Sequence, residues 1–197
     1  MILTVGEWVL RKACHQLKEW TDQGLWHDQL TLGINISPVQ FEQPDFVRLI
    51  EQVLTETGIP AHTVDIEITE GTVINNIEQI IQTLNALRKL GVKVSIDDFG
   101  TGYSSLTYLK RLPVDMVKID QSFVKDVPGD DSSSAIINTI ISMADHLELD
   151  IIAEGIESIE QVHYLQSHGC QKFQGFFFHQ PMTQSHFSSL LKEHVTS

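Results

Sequence analysis

The chain has 197 residues, of which 42% are hydrophobic and 20% charged, with a formal net charge of -13. That length can bury one sizeable core, and the composition is ordinary for a globular domain. The charge excludes a broad basic surface for DNA, RNA or acidic membranes, but it leaves room for an anionic small ligand offset by local cations or metal.

No stretch approaches the length of a membrane span, and the N-terminus lacks a basic region followed by an apolar run and a cleavage site. A cytoplasmic chain is expected, although a larger parent protein could be membrane-tethered. Cys14 and Cys170 lie far apart without metal-ligand spacing and read as reduced, buried thiols.

Residues 4–20 read as a helix, with Thr4 and Glu7 fitting a capping box and Val9, Leu10, Ala13, Leu17 and Trp20 on one face. LTLGINI, 30–36, reads as a strand. Pro44 introduces a second helix carrying Phe46, Leu49, Ile50, Val53 and Leu54, with Gly58 as its stop. TVDIEIT, 63–69, is the next strand, and a helix over 76–90 ends at Gly91. VKVSID, 92–97, and DMVKID, 115–120, are strands on either side of a short helical turn near Leu106 to Leu109. PGDDSSS, 128–134, reads as a surface loop before a helix from Ser133 to Leu147. ELDIIAE, 148–154, is a strand, Ser158 and Gln161 cap a helix that Gly169 ends, and KFQGFFF, 172–178, is the last strand before a helix over 184–194. Trp8, Trp20 and Trp26 read as packing residues, as do Phe176 to Phe178, and the histidines lack a convergent spacing for metal.

Strands alternating with helices at these distances imply a parallel α/β sheet with right-handed crossovers. Its strands end on Asn35, on Glu67 and Glu70, on Asp97 and Asp98, on Lys118 and Asp120, on Glu154 and Glu157, and on Gln174. The carboxyl ends of parallel strands meet at one rim, so these separated acids become one candidate pocket. A lone strand-end aspartate is usually a turn or helix cap. Acids from four strands, gathered with an Asn, a Lys and a Gln, instead demand a counter-charge, and oxygen ligands suit Mg²⁺ or Mn²⁺. The Asp97–Asp98 pair suggests two ions, the apparatus of phosphodiester hydrolysis, although enolisation in an enolase-like barrel also gathers carboxylates around Mg²⁺.

The segments GEWVLRKAC, GINISPVQF, DIEITE, IDDFGTGYSSLTYLKRLPVDMVKIDQSFV, AEGIES and QGFFFHQPM together resemble the EAL-type cyclic di-GMP phosphodiesterase domain, over essentially the whole chain. The resemblance implies a modified TIM-type (β/α) barrel that hydrolyses cyclic di-GMP to linear pGpG with Mg²⁺ or Mn²⁺, two ions in an intact domain. It implies Asn35, Glu67, Asp97, Asp98 and Glu154 as metal ligands, with Lys118, Glu154 and Asp98 in the catalytic step. Gln174 falls in the substrate or water network. Glu70, Thr101, Gly102, Ser104 and Glu157 support the loop after the aspartate pair, a region that also implies a homodimer. Upstream sensory or diguanylate-cyclase-like domains are expected in a full-length parent.

The family's Glu-Ala-Leu motif, which supplies a metal-binding Glu, and the Arg that binds substrate phosphate nearby do not occur before GEWVL. The six strands counted also fall short of eight. Residues 1–197 therefore read as an EAL-type domain lacking its N-terminal portion, with an incomplete barrel and weak or no turnover. A regulatory module that binds cyclic di-GMP without cleaving it, or a remnant completed by a partner chain, is the alternative expectation.

Overall fold

The first helix, α1 (Ile2–Asp22), buries Leu10, Cys14, Leu17 and Trp20 along one stripe in a computed structural model that describes residues 1–74, 77–102 and 109–195. It begins at Ile2, so Thr4 lies inside the first turn and the expected capping box does not form. Glu7 instead accepts from Arg11 Nε at 2.9 Å, one helical turn away. Trp20 and Trp26 are buried and stack at 5.7 Å, whereas Trp8 is 64% exposed and takes no part in the core.

Six strands follow: β1 (Leu32–Ile36), β2 (Val64–Thr69), β3 (Lys93–Phe99), β4 (Met116–Ile119), β5 (Asp150–Ala153) and β6 (Lys172–Phe173). All neighbouring pairs are parallel and the sheet order is the chain order, which gives a curled half-barrel. The crossovers carry α2 (Pro38–Phe41), α3 (Phe46–Thr57), α4 (Ile77–Leu90), α5 (Gln121–Val124), α6 (Asp131–His146) and α7 (Ile159–Ser167). The last helix, α8 (Gln184–Val195), returns to α1, where Trp20 Nε1 donates to Ser188 Oγ at 2.8 Å and Phe187 packs on the Trp20 ring.

The two faces of the sheet differ sharply. Ile36, Ile68, Ile96, Val117 and Ile151 are register partners across five strands, and all but the half-buried Ile151 are fully enclosed. Each fully buried isoleucine contributes about 1.5–3 kcal/mol relative to exposure. The adjacent row, one residue earlier on β1 and β2, runs Asn35, Glu67 and Ser95 and faces the inside of the curl. Core and pocket are thus opposite sides of one sheet.

Local signals explain most boundaries. Gly58 closes α3 with φ 66°, a left-handed position that glycine adopts without strain. The Ser158–Gln161 capping box forms at α7, and a second one, Ser37 with Gln40 followed by Pro38, starts the short α2 that the sequence reading passed over. Asp130 N-caps α6 by accepting from Ser133 N at 2.6 Å, so this helix starts at Asp131, earlier than expected. The helical turn expected near residues 106–109 lies mostly outside the described residues.

The C-terminal strand departs from expectation. β6 stops at Phe173, and Phe176, Phe177 and Phe178 form an exposed turn instead of packing in a strand. The Gly175 carbonyl accepts from Phe178 N and His179 N at 3.1 and 3.2 Å, which curls the chain out of the ladder.

Candidate active site

The aspartate pair owes its geometry to a β-bulge. Ile96 pairs with Val117 and Phe99 with Ile119, so β3 spends two residues, Asp97 and Asp98, where β4 spends one, Lys118. A bulge breaks the alternation of the pleat, and Asp98 takes φ 55° to accommodate it. The strand therefore continues through Asp98 to Phe99 instead of ending at Asp97. Asp98 N donates to Asp97 Oδ1 at 3.0 Å, and Asp98 itself reaches the rim.

Lys118 is the centre of the site. Its Nζ lies 2.7 Å from Glu154, 2.8 Å from Glu67 and 3.4 Å from Asp97, with its own side chain 5% exposed. Burial works to lower its pKa, but hydrogen bonds to Glu154 and Glu67, with their charges, outweigh burial and hold the ammonium above its ordinary value. Burial also raises Glu154, helped by the charges of Asp97 and Glu67, against the pull of Lys118. Three carboxylates around one ammonium leave an excess of negative charge that favours a further cation.

Asp98 faces a different set of groups. It lines a cavity of about 220 Å³ with Asp120, Gln121, Glu154, Glu157, Gln174 and Phe176. Its carboxyl is raised by partial burial, then by the charges of Asp97 and Asp120. Glu154 borders both groups and joins them into one rim. Asn35 is exposed on the same inner face, in register with Glu67.

The loop after the bulge is tied to β2. Glu70, buried at the end of that strand, accepts through Oε2 from Gly100 N at 2.9 Å and Gly102 N at 3.2 Å. Thr101 Oγ1 donates to the Asp98 carbonyl at 2.8 Å. Ser104 lies outside the described residues. Glu157 is exposed and its backbone N donates to Gln161 Oε1 at 2.8 Å, which places it at the start of α7.

Two further participants, Gly33 and Asp65, carried no signal of their own in the sequence, and Asp120 takes a double role. Gly33 faces Glu67, and a Cβ there would come within 2.1 Å of Glu67 Oε1. Asp120, read as a strand terminus, both caps α5 by accepting from Ser122 N at 2.9 Å and charges the Asp98 pocket. Asp65, inward on β2 below Glu67, is 3% exposed and accepts from Ser95 Oγ at 2.5 Å, while its Oδ1 has no partner. Burial pushes its carboxyl up to about 6, opposed by the Ser95 bond.

The donor set is oxygen throughout, which fits a hard divalent cation. Among the described residues no three His, Cys, Asp or Glu side chains stand at metal-ligand geometry. Glu67, Asp97 and Glu154 are directed at Lys118 instead.

A parallel half-barrel whose strand ends carry an acidic, lysine-centred rim defines an α/β fold of the incomplete TIM-barrel kind. The sequence profile of the EAL domain matches residues 1–181, and the chain belongs to that family. It is 38% identical over 192 residues to the cyclic di-GMP phosphodiesterase NbdA of Pseudomonas aeruginosa, covering 98% of this chain and 24% of NbdA. The PaMucR phosphodiesterase, solved as a c-di-GMP complex, superposes with a TM-score of 0.90 at 37% identity, over 94% of this chain and 74% of that one. BlrP1 of Klebsiella pneumoniae, solved with calcium and cy-diGMP, gives 0.81 at 33% identity, over 91% of this chain and 44% of that one. The chain spans about a quarter of the length of the curated relatives it matches. Among the described residues no helix is long and apolar enough to cross a membrane.

Proposed function

We propose that this domain hydrolyses cyclic di-GMP to linear pGpG with Mg²⁺ or Mn²⁺. The observation that carries the reading is the convergence of Glu67, Asp97 and Glu154 on Lys118, with Asp98 brought to the same rim by the bulge. Asn35, Glu67, Asp97, Asp98 and Glu154 would hold up to two ions, and Gln174 would contact substrate or its water. When bound, such ions lower the pKa of water and stabilise charge on phosphate oxygens. Lys118, held as an ammonium by its carboxylates, would orient the attacking water, and the loop tied to Glu70 would support Asp98 at its root.

The tripeptide Glu-Ala-Leu does not occur in the 197 residues, and we infer slow turnover by these residues alone. The test is chromatographic: cyclic di-GMP is incubated with the protein and Mg²⁺ or Mn²⁺, and pGpG is quantified with and without EDTA. Slow, EDTA-sensitive pGpG formation supports the reading. Products that form equally in EDTA would sink it. A second reading, binding without cleavage, is favoured by the absence of the Glu-Ala-Leu tripeptide from these residues, and nucleotide binding with no pGpG at any metal concentration would select it.

We further infer a cytoplasmic domain that pairs with a second copy through the region after Asp98, within a longer signalling protein. Light scattering on wild type and on variants of residues 99–102 tests the pairing. A monomer at all concentrations removes it.

A further inference from the structure

Phe176 stands apart from the other aromatic residues of its turn. Phe178 stacks on Phe173 at 6.4 Å and meets Phe177 edge-on at 5.2 Å, whereas Phe176 has no ring partner among the described residues and is 60% exposed. Its backbone is nevertheless pinned. Gln174 N donates to the Ala153 carbonyl at 2.9 Å, Ile156 N to Gln174 at 3.0 Å, and Phe177 N to Ile156 at 2.9 Å. Gly175 sits so close beneath that a Cβ would meet Ile156 N and O at 2.2 Å.

A large apolar ring is thus held in water on the rim of the cavity that Asp98, Asp120, Glu154 and Gln174 line. Single exposed apolar side chains are common, but this one combines a fixed turn, no packing partner and a polar pocket directly beside it. The pocket's carboxylates suit a phosphodiester only through intervening cations, and they offer nothing to the apolar, planar part of a nucleotide. Phe176 offers a π-face, and base–aromatic stacking is tolerant of sequence and strong enough to matter.

We propose that Phe176 is a stacking platform for a nucleobase of the substrate, setting how tightly a purine-bearing phosphodiester is held without touching the bond that breaks. This rests on the cyclic di-GMP reading above. The experiment titrates cyclic di-GMP, with Ca²⁺ present, into wild type and the variants Phe176→Ala, Phe176→Trp and Phe178→Ala, each checked for a wild-type circular dichroism spectrum and melting point. Phe176→Ala is expected to weaken binding about tenfold. Phe176→Trp is expected to retain affinity, and its added indole fluorescence should be quenched by the ligand beyond any change in wild type. Phe178→Ala, which only loosens the packed pair, should bind within about twofold of wild type. Binding by Phe176→Ala equal to wild type, an unquenched Phe176→Trp, or an equal loss in Phe178→Ala overturns the stacking role and leaves the cyclic di-GMP reading standing. Absence of binding by wild type and every variant overturns both.

Discussion

Lys118 and Glu154 meet at 2.7 Å across neighbouring strands, and this pair is the hinge of the site's charge balance. Replacing Lys118 with Met leaves Glu67, Asp97 and Glu154 facing one another without their ammonium. Removing one partner of a buried ion pair costs about 3–5 kcal/mol. We expect that loss at neutral pH in metal-free denaturant melts, together with a larger rise in melting temperature on adding Mn²⁺ than wild type shows. A variant as stable as wild type would remove Lys118 from its central place.

Asp65 gives the fold a pH dependence that can be isolated. Its carboxyl stands at about 6, against 3.8 for the ordinary group. An acid raised in the folded state binds its proton more tightly there, so its stabilisation is complete below pH 4 and is lost as pH rises through about 6. The stability of Asp65→Asn relative to wild type should therefore increase between pH 4 and pH 7, by on the order of 2–3 kcal/mol. Urea titrations in metal-free buffer across that range measure it, and a flat difference would show that Asp65 titrates normally.

Glu70 holds the loop after the bulge by two backbone amides. In Glu70→Ala the Gly100 and Gly102 amides lose their charged acceptor, and hydrogen bonds to a charged group are worth about 1.5–3 kcal/mol when enclosed and less at these exposed glycines. Hydrogen exchange should accelerate at residues 99–102, with little change in the β1–β2 pair. Activity should fall with it, because Asp98 lies at the root of this loop. Unchanged exchange would mean that other contacts hold the loop.

Two glycines separate site geometry from backbone packing. At Gly33 the added methyl meets the Glu67 carboxylate, a flexible side chain, so Gly33→Ala should push Glu67 off Lys118 and lower activity about tenfold or more while stability barely moves. At Gly175 the methyl meets the Ile156 backbone, which cannot yield locally, so Gly175→Ala should destabilise by about 1–3 kcal/mol. Thermal melts and pGpG assays on both variants test the contrast. A reversed pattern would contradict it.

The sequence announced the strands well because their apolar residues fall in period and in register, from Ile36 through Ile68 and Ile96 to Val117. It also placed the polar residues at strand ends, since a parallel topology leaves them one rim to occupy. What it could not state was the bulge. Two adjacent aspartates look like the end of a strand, and only the register against β4 reveals an extra residue opposite Lys118. The failure at Phe176 to Phe178 has the same origin. Their β-propensity is high, but the close approach of Gly175 to Ile156 is a tertiary fact with no local signature. Gly33 and Asp65 were invisible for a similar reason, as each acts on a neighbouring strand.

The strand order β1 to β6 matches the chain order without exception. Each strand from β2 onward, as it leaves the ribosome, finds its partner already made and one crossover behind it. Folding can then proceed as vectorial accretion, with short loop closures and no waiting for a distant segment. The bulged β3 would receive its lysine-bearing neighbour only after both aspartates were in place, so the charge conflict at the rim arises before the residue that relieves it.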